Sequence, residues 1–215
     1  AMNARASSGD PSRRTAGFSL IELLTVVAIL AILSVLVLPS IRGISSSTEL
    51  TMSAATIVDS LNLARQTALS ANRPVEVRFY EVPGATDPAP AFRAMGTYVI
   101  SNTGTNQMGK LVWLRNNVVL SDTDTFGTLL KGLTNAQSSL PALGATKYNY
   151  RSLIFRPDGS ASLPHASSAG GSNTWHVMLY DITHPPAGST PPNNHVTIQL
   201  LPETGRVRTF QPGEG

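Results

Sequence analysis

The order of apolar and polar positions divides the chain into three stretches. From Phe18 to Leu38 the only charged residue is Glu22, and at about 1.5 Å of rise per residue a helix of this length crosses a hydrocarbon core of roughly 30 Å. Pro39 follows, where it is expected to kink the helix without ending it. Beyond it the pattern becomes amphipathic: Ile57, Leu61, Ala64 and Ala68 recur at helical spacing, with Val58 and Arg65 beside them. Ser45-Ser46-Ser47 is expected to loosen the helix locally, and Asn72 and Pro74 to end it. The predicted helix is half buried in lipid and half laid against a globular domain.

From Pro74 the period changes from that of a helix to that of a strand. Val75, Val77 and Phe79 alternate with Glu76, Arg78 and Tyr80, which predicts a half-buried antiparallel strand. Residues 82–90, rich in Pro, Gly and Ala, read as a loop. Further strands are predicted over 97–101, 110–114, 118–120, 150–156, 160–163, 175–182, 195–201 and 206–210. Turn-formers separate them: Pro157-Asp158-Gly159, the run from Ala169 to Asn173, and the run from Pro185 to Asn194. Residues 123–143 read as a long loop with a short helical turn. Strand after strand with no second long helical pattern predicts an α+β fold, a long N-terminal helix packed on a C-terminal antiparallel β-sheet or two-sheet sandwich. The organisation is then a leader over 1–17, a membrane-spanning helix over 18–38, its amphipathic continuation over 39–72, and a β-rich extracytoplasmic domain over 73–215.

Composition changes this picture in a few respects. With 215 residues the chain has room for one domain of the usual ~100–200 residues and a helical stalk. It has no cysteine, so disulfide staples and Cys-type zinc sites are excluded. Charged residues are 13% of the chain, low for a soluble globular protein, partly because the apolar run dilutes them. The formal charge of +3 is concentrated at the front: Arg5, Arg13 and Arg14 against Asp10 precede Phe18, which leaves 13 basic against 12 acidic residues for the remainder. The basic balance is therefore weak evidence for a nucleic-acid partner. Under the positive-inside rule those arginines hold residues 1–17 in the cytoplasm and send whatever follows Leu38 outward.

A carboxylate at membrane depth costs on the order of 2.5–3.5 kcal/mol at a helix centre and less near an end, so Glu22 calls for a partner charge. Gly17-Phe18-Ser19-Leu20-Ile21-Glu22, with basic residues before it and the apolar run directly after, resembles the processing site of type IV prepilins and type II secretion pseudopilins. The resemblance implies that a prepilin peptidase cuts between Gly17 and Phe18, that Phe18 becomes the first residue and is N-methylated, and that Glu22 is the fifth-position glutamate. In a filament the Glu22 carboxylate would neutralise the Phe18 amine of its own or a neighbouring chain, converting two costly charges into one pair. Also implied are other pilin or pseudopilin subunits, an inner-membrane assembly platform and inner-membrane lipid as partners, with a bacterial inner-membrane, then periplasmic or surface-filament, location. The plain alternatives are a signal anchor with an incidental Glu and a secretory signal peptide. The latter expects a small-residue cleavage site after the apolar region, which Val37-Leu38-Pro39-Ser40 does not supply.

Two further segments, Phe155-Arg156-Pro157-Asp158-Gly159-Ser160 and Gly205-Arg206-Val207-Arg208, resemble the strand-turn-strand and terminal strand of the GspH/FimT group of minor pilins, and endings of the Verru_Chthon cassette protein D type. Turn chemistry alone also accounts for Pro-Asp-Gly and for a glycine before a last strand. In FimT-like minor pilins a G-R-x-R motif binds DNA, and strand alternation puts Arg206 and Arg208 on one face, where they could grip consecutive phosphates. Two arginines are a modest footprint, no aromatic-interleaved basic patch surrounds them, and Glu203 and Glu214 are close in sequence. The favoured reading is a solvated edge strand whose charges discourage aggregation, with DNA kept as the alternative.

No catalytic site, metal or cofactor is expected. His165, His176, His184 and His195 lack metal-ligand spacing, and no G-x-S-x-G, P-loop or H-E-x-x-H occurs. Asp122 and Asp124 have calcium-loop spacing, but the third oxygen ligand and the downstream bidentate Glu are missing, so an acidic surface loop is the better reading.

Overall fold

The computed structural model describes residues 19–84, 87–115, 117–140, 143–163 and 174–212, and of 35–45 the backbone alone. Its contacts divide the chain into two compact units, 1–43 and 44–215. The elements are α1 (Leu20–Ala71), β1 (Val75–Val82), β2 (Ala91–Ser101), β3 (Gly104–Trp113), β4 (Val118–Leu120), α2 (Thr128–Gly132), β5 (Asn135–Ser139), β6 (Lys147–Phe155), β7 (Ala161–Ser162), β8 (Trp175–Asp181), β9 (His195–Leu201) and β10 (Arg206–Phe210).

In the first unit α1 is apolar on every side. Each large apolar side chain from Leu20 to Leu33 is exposed, from 48% at Val26 to 83% at Leu20. Among the described residues no helix is long and apolar enough to cross a membrane. The span predicted over 18–38 also takes in Phe18 and the side chains of 35–38, which lie outside those residues. The backbone is helical at Pro39 and across Ser45-Ser46-Ser47, so the serines do not interrupt it as expected.

In the second unit α1 buries one stripe: Leu50, Ala54, Ile57, Leu61, Ala64 and Ala68 are each at most 3% exposed. Their alternating spacing of four and three keeps them on a single face, and the alanines let the backbone approach the sheet closely. The stripe joins Val75, Val77 and Phe79 of β1, Leu153 and Phe155 of β6, and Val196, Ile198 and Leu200 of β9 in the main core. Ala71 is the last helical residue, Asn72 turns left-handed at φ 50°, and the Arg73 N–H donates to the Ala68 carbonyl at 3.3 Å. This is the six-to-one closure of a helix end, with Asn in the place where glycine is usual.

All strand pairings are antiparallel, in the order β10-β9-β8-β4-β2-β1-β6-β5, with β3 also on β2 and β7 also on β6. The strands thus form one hydrogen-bonded sheet, the first of the two predicted arrangements. It curls around α1, because the Ala161 N–H at the β6–β7 arm donates to the Pro202 carbonyl beyond β9, 2.7 Å away. Residues 123–143 contain more than the predicted turn: α2 buries Leu129 and Leu130, and β5 extends the sheet along β6.

The expected half-buried character of β1 is not what the structure contains. Val75, Val77 and Phe79 face the helix, but Glu76 and Tyr80 on the other face are buried too. A second apolar cluster covers them, built from Tyr80, Val82, Ala94, Tyr98 and Leu140, with Leu111, Tyr148 and Tyr150 packed on it. Within it the Arg78 guanidinium lies 4.2 Å from the Tyr98 ring centre and 4.7 Å from that of Tyr150, and donates to Glu76 at 2.7 Å. Gly96 faces Arg78 across the strands, and a Cβ there would stand 3.0 Å from the Tyr98 ring. Burial works against the charge on Arg78, but Glu76, Tyr80 and Tyr150 together outweigh it and raise the guanidinium pKa. Burial and the neighbouring Tyr80 hydroxyl push the Tyr98 phenol up.

The Tyr80 and Tyr98 hydroxyls are 2.7 Å apart. Tyr80→Phe leaves the Tyr98 hydroxyl without that partner inside the cluster, so the variant should unfold about 1–3 kcal/mol more easily. Guanidinium unfolding followed by the fluorescence of Trp113 and Trp175 measures this, and a loss below ~0.3 kcal/mol would show that water replaces the bond.

Candidate functional site

Two places in the sequence were singled out for chemistry, one in each unit. Gly17 and Phe18, the predicted cleavage pair, lie outside the described residues. Glu22 is described. It sits exposed in the first turn of α1, and its Oε2 accepts the backbone N–H of Ser19 at 3.0 Å. Ser19-Leu20-Ile21-Glu22 is therefore the reach-back half of a capping box, in which the glutamate at the third helical position satisfies a donor that the helix itself leaves free. A negative charge is also favoured there by the helix dipole. The S-x-x-E spacing carries this signal in the sequence, where Glu22 was weighed only as a charge in lipid.

Arg206 and Arg208 stand on β10, the last strand in the pairing order, which among the described residues is hydrogen-bonded to β9 alone. Both are exposed, while Val207 between them turns inward and packs on the main core. Among the described residues neither arginine forms an ion pair. Their cross-strand partners are Leu201 and Gln199, so no carboxylate opposes them. Alternation puts Phe210, 45% exposed, on the same face. One ring beside two arginines falls short of the aromatic-interleaved basic patch that the sequence also lacks. Glu203 is exposed, and Glu214 lies outside the described residues.

The two C-terminal segments that resemble minor pilins come together in space. Gly159 (φ 81°) and Gly205 (φ 62°) both occupy left-handed backbone, and a Cβ on Gly205 would collide with the Gly159 carbonyl oxygen. Asp158 accepts from the Ser160 N–H at 2.8 Å and from its hydroxyl at 2.6 Å, which holds its carboxyl below the usual carboxylate range.

The other candidates find local partners. Asp122 reaches Arg151 at 3.5 Å, and Asp124 lies 3.9 Å from Lys131. His176 has Nε2 3.1 Å from the Thr125 carbonyl and Nδ1 3.1 Å from the Thr128 hydroxyl. His195 Nδ1 is 2.7 Å from the Pro192 carbonyl, His184 Nδ1 is 3.0 Å from the Thr183 hydroxyl, and His165 lies outside the described residues. Among the described residues no group of three or more His, Cys, Asp or Glu is placed to hold a metal ion.

Residues 12–38 match the prokaryotic N-terminal methylation motif. No curated protein matches the chain in sequence. The chain is similar to a structure of the minor pseudopilin EpsH from the type 2 secretion system of Vibrio cholerae, at 12% identity and TM-score 0.44, over 77% of this chain and 99% of that one. A crystal structure of the same pseudopilin is similar at 13% identity and TM-score 0.43, over 79% of this chain and 98% of that one. The motif match at residues 12–38 spans the predicted cleavage pair Gly17 and Phe18 and Glu22.

Proposed function

We propose that the chain is a minor pilin or pseudopilin. It is cleaved by a prepilin peptidase between Gly17 and Phe18, methylated at the new amine, held in the inner membrane through residues 18–38 with the β-domain outside, and drawn from there into a periplasmic or surface filament. The observation that carries this reading is the methylation motif over 12–38, running into a helix whose large side chains from Leu20 to Leu33 are apolar and exposed on every side. Such a surface needs lipid or neighbouring helices around it, and Ala28, Ala31 and Ser34 allow neighbours to approach closely. The work is assembly, with other pilin subunits and the assembly platform as partners and without catalysis. A type II secretion pseudopilus and a type IV pilus are both filaments of this build.

A second reading, a FimT-like DNA receptor, is favoured by one arrangement: two exposed arginines, without ion pairs among the described residues, on a terminal strand with Phe210 on the same face.

Processing is tested directly. In its native host the protein should have Phe18 as its N-terminus, heavier by one methyl, and Gly17→Val should leave the precursor uncut in the membrane. An intact leader on the native protein, read by mass spectrometry, would sink the reading.

The capping bond of Glu22 allows its two roles to be separated. Glu22→Gln keeps an acceptor for the Ser19 N–H but has no charge for the Phe18 amine, whereas Glu22→Ala loses both. Pairing predicts that both variants are cleaved and that both fail to co-purify with filament subunits. Normal incorporation of the Gln variant would assign Glu22 to the helix cap alone.

For the DNA reading, the full-length chain in detergent should retard a duplex at ~50 mM salt, without sequence preference, and release it as salt rises. Arg206→Ala combined with Arg208→Ala should abolish the shift while moving stability by less than ~0.5 kcal/mol. Absence of retardation even when many copies are displayed on one particle removes the receptor reading and leaves the filament reading intact.

A further inference from the structure

The two turns that carry Gly159 and Gly205 are joined by a residue from a different part of the chain. Arg65, half-buried on α1, directs its single Nε–H at two carbonyl oxygens, those of Thr204 at 2.7 Å and Gly159 at 3.2 Å. A three-centre bond of this kind from a charged donor is stronger than one between neutral groups. Both glycines leave room for it. A Cβ on Gly159 would stand 3.3 Å from Arg65 Nη2, and one on Gly205 would stand 3.0 Å from Arg65 Cδ, besides its collision with the Gly159 carbonyl. A third tie runs alongside, from the Ala161 N–H to the Pro202 carbonyl at 2.7 Å.

The place of this junction in the sheet gives it meaning. Gly159 lies in the connection between β6 and β7, near one end of the strand order, and Thr204 in the connection between β9 and β10, at the other. In the order of pairing, β8, β4, β2 and β1 stand between these arms. The arms meet only because the sheet has curled around α1, and Arg65 stands on α1 where they meet. β10 itself has little else to hold it: it is five residues long, is paired on one edge and contributes Val207 alone to the core.

We propose that Arg65 is the positioning residue of the terminal edge, a clasp that closes the curled sheet on α1 and fixes where β10, with Arg206, Arg208 and Phe210, stands relative to the helix. The clasp requires glycine at 159 and at 205, so the two glycines serve closure even where Arg206 and Arg208 bind nothing. The inference does not depend on whether the chain enters a filament.

Hydrogen–deuterium exchange of the full-length chain in detergent tests it. Arg65→Met keeps the apolar stem and removes the donor. It should speed exchange of the 206–210 amides and of Gly159 about tenfold or more, while the amides of Val75–Val82 keep their protection. Gly205→Ala leaves Arg65 intact but forces the turns apart, and should give the same local pattern. Because both break one closure, the double variant should exchange at β10 no faster than the faster single variant, whereas independent losses would multiply. Wild-type protection of β10 in either variant overturns the proposal. Loss spread equally over β1 and β10 does so as well, since it would make Arg65 a general contributor to stability.

Discussion

The β-domain depends on one packing contact, the stripe Leu50, Ala54, Ile57, Leu61, Ala64 and Ala68 of α1 against the inner face of the sheet. No other long helix is present among the described residues to cover that face. Burying the three larger side chains is worth about 1.5–3 kcal/mol each by area, and the three alanines contribute by closeness, bringing the helix backbone within reach of the strands. The polar ties are arranged around this contact. Ser46 donates to Asp181 at 3.2 Å at one end of the stripe, and Arg65 reaches the two turns near the other. The helix therefore acts as the template on which the sheet curls.

Much of this was legible in the sequence because it follows from periodicity. The helix end at Asn72, the strands 118–120, 195–201 and 206–210, and the inward face of β1 all come from the apolar pattern and turn residues. The misses have a common cause. Glu76 and Tyr80 alternate with apolar residues, which predicts a solvated face, yet Tyr98 and Tyr150 fold over that face and stack on Arg78. Local alternation cannot report a cover supplied from β2 and β6. β5 was missed because Asn135-Ala136-Gln137-Ser138-Ser139 has no apolar run; its existence comes from backbone pairing with β6. Arg93 is buried at a bulge of β2, held by Asp87 at 3.3 Å and the Ala89 carbonyl at 3.2 Å, and nothing in the sequence around it marks a buried cation.

The candidate site was legible in part for a different reason. Glu22 stands out in an apolar run, so its cost draws notice, but the S-x-x-E capping relation is a second and cheaper explanation for a carboxylate at that position. The two are compatible. If the chain is cut before Phe18 as proposed, a carboxylate already turned back toward the start of the helix would need little reorganisation to meet the new amine, and the cap would pre-orient it for that pairing.

A similar economy applies at the other end of the chain. Gly205 and the arginines after it read as one motif, yet the structure gives them separate jobs: Gly205 satisfies a left-handed turn and a close approach to Gly159, whereas Arg206 and Arg208 point to solvent. A terminal strand with a free edge invites pairing with another copy, and exposed cations oppose it. Among the described residues the same two charges have no carboxylate partner, and a strand fixed by Arg65 would give them the rigid spacing that the proposed grip on an anion needs. Stability and the proposed recognition then make no conflicting demand on this edge, since Gly159 and Gly205 are buried at the seam with Arg65 half-buried across them, and the arginines that face outward are free to change.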